Sequence, residues 1–426
     1  MQTTPASARP LGLWTATALV VGSMIGSGVF LLPAALAPYG GASLIGWAIT
    51  LCGALLLAWT FARMAMRWPH SGGPYTYAHR AFGDSVGFVV AWSYWISIWC
   101  ANAAIAVAFA GSLGAISPQL TATPARAAAC ALAALWICAS VNLAGVREAG
   151  RMQLVTTALK LLPLLLFGVV ALWWLDPGTA FRPFNPGGGS LPQVANATAA
   201  LTLWALLGLE AATVPADAIA APERNVPRAT VIGTLLAGIA TILACTVVLG
   251  LVPAETLRQS PSPMADAAAS IWGPAAGLAL ASVSAVSCFG ALNGWTLLSG
   301  QLPLAAARDR VFPAFFARVD ARGTPRLGIV IGAALASALV LSNYSRTLVQ
   351  VFTFAILLST AATLLPYVAG SAAWLLRGQG RSRIVAGFAL AFSLYALWGI
   401  GAEALSWGAV LVAAGLPVHL LLRLRR

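Results

Sequence analysis

Val21-Gly22-Ser23-Met24-Ile25-Gly26-Ser27-Gly28-Val29-Phe30 lies in the middle of an otherwise apolar segment, residues 11–36. A helix crossing lipid keeps its backbone hydrogen bonds closed, because no water is there to replace them. Three glycines and two serines in ten residues work against that closure, since Gly is about 1 kcal/mol worse than Ala in a helix interior. Irregular backbone at membrane depth is tolerated only where it is buried in protein or lines a cavity. The stretch therefore predicts a helix that breaks in mid-bilayer and opens a polar site for a soluble ligand.

The rest of the chain fits a membrane setting. Of its 426 residues, 60% are hydrophobic and only 8% charged, and the mean hydropathy is +0.86. A soluble domain carries roughly 25% charged residues, so the composition leaves a polytopic helical membrane protein. The apolar run from Leu11 exceeds the roughly 7–15 residues of a signal peptide core, and Ala35-Leu36-Ala37 is a weak cleavage site, so the first span is read as retained.

A net charge of +13 invites a nucleic-acid reading, but the positions of the cations argue otherwise. They gather in alternate loops: Arg63, Arg67 and Arg80; Arg147 and Arg151; Arg224 and Arg228; Arg308, Arg310, Arg318, Arg322 and Arg326; Arg377, Arg381 and Arg383; and Arg423, Arg425 and Arg426. The intervening loops hold only Arg126, Arg182, Arg258 and Arg346. This is the positive-inside pattern, which puts both termini in the cytoplasm and requires an even number of spans. The basic loops also favour anionic lipid headgroups. The heavy use of Ala, Gly and Arg points to a GC-rich bacterial genome. All six cysteines (Cys52, Cys100, Cys130, Cys138, Cys245 and Cys288) fall in apolar spans without paired spacing, and read as small core residues rather than disulfides or metal ligands.

Twelve segments approach the roughly 20 apolar residues a spanning helix needs: 13–36, 41–66, 85–114, 124–144, 153–175, 193–219, 229–252, 271–300, 327–342, 348–376, 383–400 and 403–422. Turn signals such as Pro38-Tyr39-Gly40-Gly41, Asp176-Pro177-Gly178 and Pro261-Ser262-Pro263 separate most of them. The sixth echoes the first: Thr202-Leu203-Trp204-Ala205-Leu206-Leu207-Gly208-Leu209-Glu210 places a glycine and an acid at mid-depth, with Pro215 following. Interrupted spans at matching places in two halves point to a transporter binding site. Five spans separate the two starts, and an odd number per repeat inverts the second repeat. The expected architecture is an all-α integral membrane protein of 12 transmembrane helices. It has two inverted five-span repeats, residues 1–180 and 181–378, with discontinuous helices 1 and 6 and two appended helices in 379–426.

Several motifs resemble the amino acid–polyamine–organocation superfamily, most of all its arginine/agmatine and ornithine/putrescine antiporters. They are Gly26-Ser27-Gly28-Val29-Phe30-Leu31-Leu32-Pro33, Ser71-Gly72-Gly73-Pro74-Tyr75, Leu203-Trp204 with Gly208-Leu209-Glu210, Pro222-Glu223-Arg224-Asn225-Val226-Pro227 and Gly294-Trp295-Thr296-Leu297-Leu298. The resemblance spans essentially the whole chain. It implies the leucine-transporter-type fold, alternating access and a homodimer.

A helix restarting after Gly26 would present free N–H groups and the positive end of its dipole, which suits a carboxylate. The resemblance carries substrate α-carboxylate binding onto Ser27 and Gly28, and α-ammonium binding onto the backbone carbonyls of Met24, Trp204 and Leu207. It makes Trp204 and Trp295 aromatic walls, Trp295 facing the cationic end of the substrate, where an indole face contributes about 2 kcal/mol once desolvated. It places Asn102 and Ser359 at the distal substrate group and Tyr94 and Tyr367 at the gate. Small-residue helix packing and interhelical hydrogen bonding are the bland readings of Ser27, Gly28 and Asn102.

Glu210 is a carboxylic acid at lipid depth. Such groups cost about 2.5–3.5 kcal/mol on insertion scales and are functional by default; the resemblance gives it gating and proton sensitivity. Lys160, the only lysine, lies inside the fifth span, where the arginine/agmatine antiporter has a small apolar residue. Proton-coupled relatives carry a lysine there, in the volume that holds sodium in sodium-coupled members. Sodium coupling is thereby disfavoured, leaving a titrating proton site or a permanent tether between spans 1, 5 and 8. Ser23 replaces an amide residue of the arginine/agmatine antiporter and would alter selectivity. His70 and His79 read as solvated loop residues and His419 as structural.

No metal-ligand spacing and no phosphate-binding loop is present, so neither metal, cofactor nor ATP-driven transport is expected. The sequence reads as a multi-pass secondary transporter of the bacterial cytoplasmic membrane, exchanging an amino acid for a related amino acid or amine, with nucleic acid excluded as a partner. Proton-coupled uptake of a neutral amino acid is the alternative, favoured by Lys160. A nutrient sensor on the same scaffold would need a signalling domain or long tail, and a membrane enzyme a nucleophile–base pair or metal cluster; neither pattern is seen.

Overall fold

The computed structural model describes residues 11–176, 178, 180–343 and 346–424. Pro177 of one turn signal and the tail residues Arg425 and Arg426 lie outside them. The chain runs through α1 (Leu13–Met24), α2 (Ser27–Leu36), α3 (Ser43–Arg67), α4 (Pro74–Phe82), α5 (Asp84–Ile116), α6 (Pro124–Leu143), α7 (Val146–Val170) and α8 (Leu191–Trp204). It continues through α9 (Pro222–Leu251), α10 (Ala254–Gln259), α11 (Pro263–Trp272), α12 (Pro274–Arg308), α13 (Arg326–Ser342), α14 (Leu348–Arg377), α15 (Ser382–Trp398), α16 (Ala402–Ala413) and α17 (Leu416–Leu424). Local sequence sets many of these ends. Thr123 caps α6 by accepting the Arg126 N–H at 3.3 Å. Thr347 and Gln350 form a reciprocal capping box at the start of α14.

Among the described residues the protein is all-helical, apart from one isolated bridge between Leu11 and Ile219. That bridge clips the start of α1 to the end of the irregular segment that follows α8. Among the described residues, eight helical stretches are long and apolar enough to cross a membrane: Leu13–Arg67, Asp84–Ile116, Pro124–Leu143, Val146–Trp174, Pro222–Leu251, Pro274–Arg308, Leu348–Arg377 and Ala402–Leu424. Two further apolar helices, α13 and α15, are shorter.

Burial is inside-out relative to a soluble domain. On α7, Leu159, Leu162 and Leu166 are exposed, whereas Lys160 is wholly buried between them. Such an apolar outer face is what lipid contact allows and water does not. Cys52 is likewise exposed on α3 and Cys130 partly exposed on α6, so these two depart from the core placement expected of them; the other four are buried and all six are free.

Helix packing centres on α5, which lies against α12 and α14. α3 packs on α8 and α9, α1 on α7, α9 and α12, and α6 on α13. Two expected spans differ in form. The last is broken at Ala414-Gly415 into α16 and α17. The sixth does not resume as a second α-helix: after Trp204 the chain follows turns with i→i−3 hydrogen bonds, from Ala205 to Thr202 (3.1 Å), Leu206 to Leu203 (2.9 Å) and Leu207 to Trp204 (3.2 Å). Short 3₁₀ turns at Ala211–Thr213 and Ala216–Ala218 follow. Gly208 at φ 100° and Pro215 are incompatible with a regular α-helix here.

Candidate functional site

The break predicted from residues 21–30 is present. α1 stops at Met24, Ile25 is extended at φ −81°, ψ 93°, and α2 begins at Ser27. Gly26, which precedes α2, supplies no side-chain cap. The first N–H groups of α2 are thus orphan donors of the kind that bind anions.

The last carbonyls of α1 find partners from two other helices. Lys160 Nζ on α7 donates to Gly22 O at 2.7 Å and also to Ile25 O. Trp295 Nε1 on α12 donates to Ser23 O at 3.1 Å, and Ser287 Oγ to Ile25 O at 3.2 Å. Thr157 on α7 adds a bond to Ala18 O at 3.1 Å. The unwound end of α1 is therefore fixed by side chains that replace the missing helical turn. Lys160 is placed here, and no carboxylate is among its hydrogen-bond partners.

The two irregular segments touch. A Cβ on Gly28 would lie 2.8 Å from Ala205 Cα, and one on Gly208 would lie 2.9 Å from Ser23 Cβ. Glycine at both positions is what lets the breaks meet. Gly208→Ala is expected to lower stability by about 1–3 kcal/mol, because the added methyl overpacks a rigid backbone contact. Thermal unfolding of the purified variant checks this; an unchanged melting temperature would contradict the close approach.

Between the segments lies a small cavity of about 10 Å³, lined by Ser23, Met24, Gly26, Ser27, Gly28, Ile105, Trp204, Leu207 and Trp295. Seven of these were anticipated from sequence; Gly26 and Ile105 were not assigned a role. Both serine hydroxyls are buried without a hydrogen-bond partner among the described residues. A buried unpaired hydroxyl costs free energy, and two beside an uncapped helix start are an arrangement suited to a polar ligand. No charged side chain lines it, so the cavity offers backbone dipoles, hydroxyls and indole faces. Trp204 meets Phe352 edge to face at 6.5 Å. The volume is below the roughly 300–1,000 Å³ of typical small-molecule pockets. The cavity is closed in this conformation, too small for an amino acid without rearrangement.

Glu210 closes a second cluster. The Tyr94 hydroxyl donates to its Oε1 at 2.6 Å and the Tyr367 hydroxyl to its Oε2 at 2.5 Å. All three residues are wholly buried. The acid thus ties α5 and α14 to the irregular segment after α8.

Residues 11–414 match the amino acid permease family. The chain belongs to that family. The permease is 30% identical to the putrescine transporter PotE of Escherichia coli (strain K12) over 97% of its own length and 96% of the relative's. It is 34% identical to the cadaverine/lysine antiporter of the same organism, over 79% of this chain and 75% of the relative. The putrescine transporter PotE of Haemophilus influenzae is 30% identical over 97% of both chains. The resemblance to polyamine and basic amino acid antiporters is borne out, and the permease is a multi-pass membrane transporter rather than an enzyme.

Other anticipated positions fall outside the cavity lining. Ser359 Oγ on α14 donates to Ser97 O on α5 at 2.8 Å, holding those helices together. Asn102 is buried one turn before Ile105, with its Oδ1 unpartnered among the described residues. His79 is not a solvated loop residue: its Nε2 lies 2.7 Å from Asp84 and its Nδ1 3.9 Å from Asp309, and the ring stacks on Tyr75. Asp84, at the start of α5, is only five residues away and was within reach of a local reading, whereas Asp309, just past the end of α12, is remote in sequence. His419 stacks on Phe88, in keeping with a structural role.

Proposed function

We propose that the permease is a secondary active antiporter of the bacterial inner membrane, exchanging a cationic amino acid for a related amine by alternating access. The observation that carries this reading is the closed cavity between two facing chain breaks. The α2 N–H groups with Ser27 suit a carboxylate, the carbonyls of Met24, Trp204 and Leu207 suit an ammonium, and the indoles of Trp204 and Trp295 suit the distal cation. The relatives' names, putrescine and cadaverine/lysine, favour diamino acids and their diamines as first substrates to test, ahead of arginine and agmatine.

In this reading the chain crosses the membrane twelve times, with both termini cytoplasmic, and repeats 1–180 and 181–378 are inverted copies. The packing supports a pseudo-two-fold relation. α3–α9, α5–α12 and α6–α13 each join an element to its counterpart five spans later. Exchanging the halves also maps α1–α7 onto α8–α14, α1–α9 onto α8–α3, and α5–α14 onto α12–α7. A binding site between the first spans of such repeats can open to either side by rocking one part against the other.

Proteoliposomes provide the test. Uptake of labelled lysine, ornithine or arginine is expected to require unlabelled amino acid or amine inside, and Ser27→Leu is expected to abolish both uptake and the substrate-induced rise in melting temperature. Uptake of neutral amino acids driven by an imposed pH gradient, with nothing inside, would favour proton-coupled symport instead. Lys160 is the observation on that side, since a buried amine beside the break is a possible proton carrier.

A further inference from the structure

We propose that the groove between the C-terminal ends of α3 and α14 and the start of α15 binds the phosphate headgroup of an anionic phospholipid. It is an open groove of about 610 Å³, lined by Arg63, Arg67 and Arg381 with Trp374, Gln379 and Ser382, and no acidic side chain lines it. None of the three arginines forms an ion pair among the described residues. Arg67 is already oriented, donating from one terminal nitrogen to Arg377 O at 2.9 Å. The Arg63 guanidinium lies 4.7 Å from the Trp59 ring centroid, a stacking that leaves its edge free to donate.

The second observation is Trp374. Its side chain is 94% buried by the same packing (relative exposure 6%), yet its indole N–H has no acceptor among the described residues. A buried donor without a partner beside a cationic groove asks for an oxygen acceptor, and because the nitrogen itself is covered, an indole shift must accompany its use. Planar guanidinium groups and an indole N–H together match a phosphodiester.

Lipid rather than free phosphate is indicated by what adjoins the groove. Further along α15 from Arg381, Ile384 and Phe388 are exposed apolar side chains, 60% and 62% accessible. A headgroup held by the arginines would lay its acyl chains along that face. The proposal rests on the cytoplasmic assignment of these helix ends, where anionic lipid is recognised by basic pockets between spans.

Native mass spectrometry of the purified full-length protein tests it, with phosphatidylglycerol, phosphatidylcholine or inorganic phosphate added. Wild type is expected to retain phosphatidylglycerol in preference to phosphatidylcholine. Arg63→Ala with Arg381→Ala is expected to reduce that retention about tenfold or more, as for loss of charge-assisted contacts. Trp374→Phe, which removes little beyond the N–H, is expected to weaken it less. Arg224→Ala with Arg228→Ala, an equal loss of charge outside the groove, is expected to leave it unchanged. Equal loss in that control pair, equal retention of phosphatidylcholine, or comparable binding of inorganic phosphate would each overturn the proposal. Substrate-induced thermal shifts on the same samples report the transport site separately, so failure of the antiporter reading leaves the lipid result interpretable.

Discussion

Lys160→Ala is expected to abolish exchange and to destabilise the protein measurably. The mutation removes the donor to Gly22 O and Ile25 O in a wholly buried site. An unsatisfied buried acceptor costs about 1–3 kcal/mol; Gly22 O loses its side-chain donor at the hinge of α1, while Ile25 O keeps the Ser287 hydroxyl. Lys160→Met separates the two contributions, because it keeps most of the volume and loses only the donor. Thermal unfolding and counterflow in proteoliposomes are the measurements. Wild-type stability and rates in Lys160→Met would exclude the amine as the tether of the break. The tether needs only two N–H groups, which an amine has whether or not it carries the extra proton. Fixing the break and carrying a proton are therefore compatible roles. If Lys160 also titrates during transport, the methionine variant loses its response to an imposed pH gradient as well as its rate.

Glu210→Gln is expected to flatten the pH dependence of transport while leaving the substrate-induced thermal shift in place. Both carboxylate oxygens accept tyrosine hydroxyls, from Tyr94 on α5 and Tyr367 on α14. Two accepted bonds suit the ionised acid. Protonation turns one oxygen into a donor, so acidification weakens the bond to one tyrosine and loosens the link between α5 and α14. Exchange by the wild type is thus expected to rise as pH falls, and in the glutamine variant, which has one acceptor oxygen at every pH, to be invariant. Initial rates across an acid-to-neutral pH series decide it. A glutamine variant with the wild-type profile would remove Glu210 from proton sensing and leave it a structural link.

Much of this arrangement is legible in the chain. The break between α1 and α2 follows from glycine and serine in a segment that lipid would otherwise keep helical, and Gly208 with Pro215 marks the second irregular stretch for the same reason. The sequence did not disclose that the second stretch continues as tight turns instead of a new α-helix. That outcome depends on Gly208 lying against Ser23, a contact between residues far apart in the chain. Ile105 and Asn102 illustrate the same limit. Both are buried on α5, and which of them reaches the cavity is set by the rotation of that helix against α12 and α14. The exposure of Cys52 and Cys130 is likewise decided by which helix face meets lipid, since in a bilayer an apolar residue is equally at home on either side.

The sequence by itself determined the membrane setting, the approximate spans, the places where the backbone opens, and the identity of the isolated ionisable groups within the spans. These are consequences of local composition: each segment must satisfy its own peptide groups and its own transfer free energy in lipid. Only the tertiary structure decided what those groups meet. Lys160 takes the last carbonyls of α1, Glu210 takes two tyrosines from two other helices, and His79 is brought near Asp309, just past the end of α12. Such partners are chosen by how whole helices pack, and helix packing is a sum over many weak contacts that no single stretch of the chain contains.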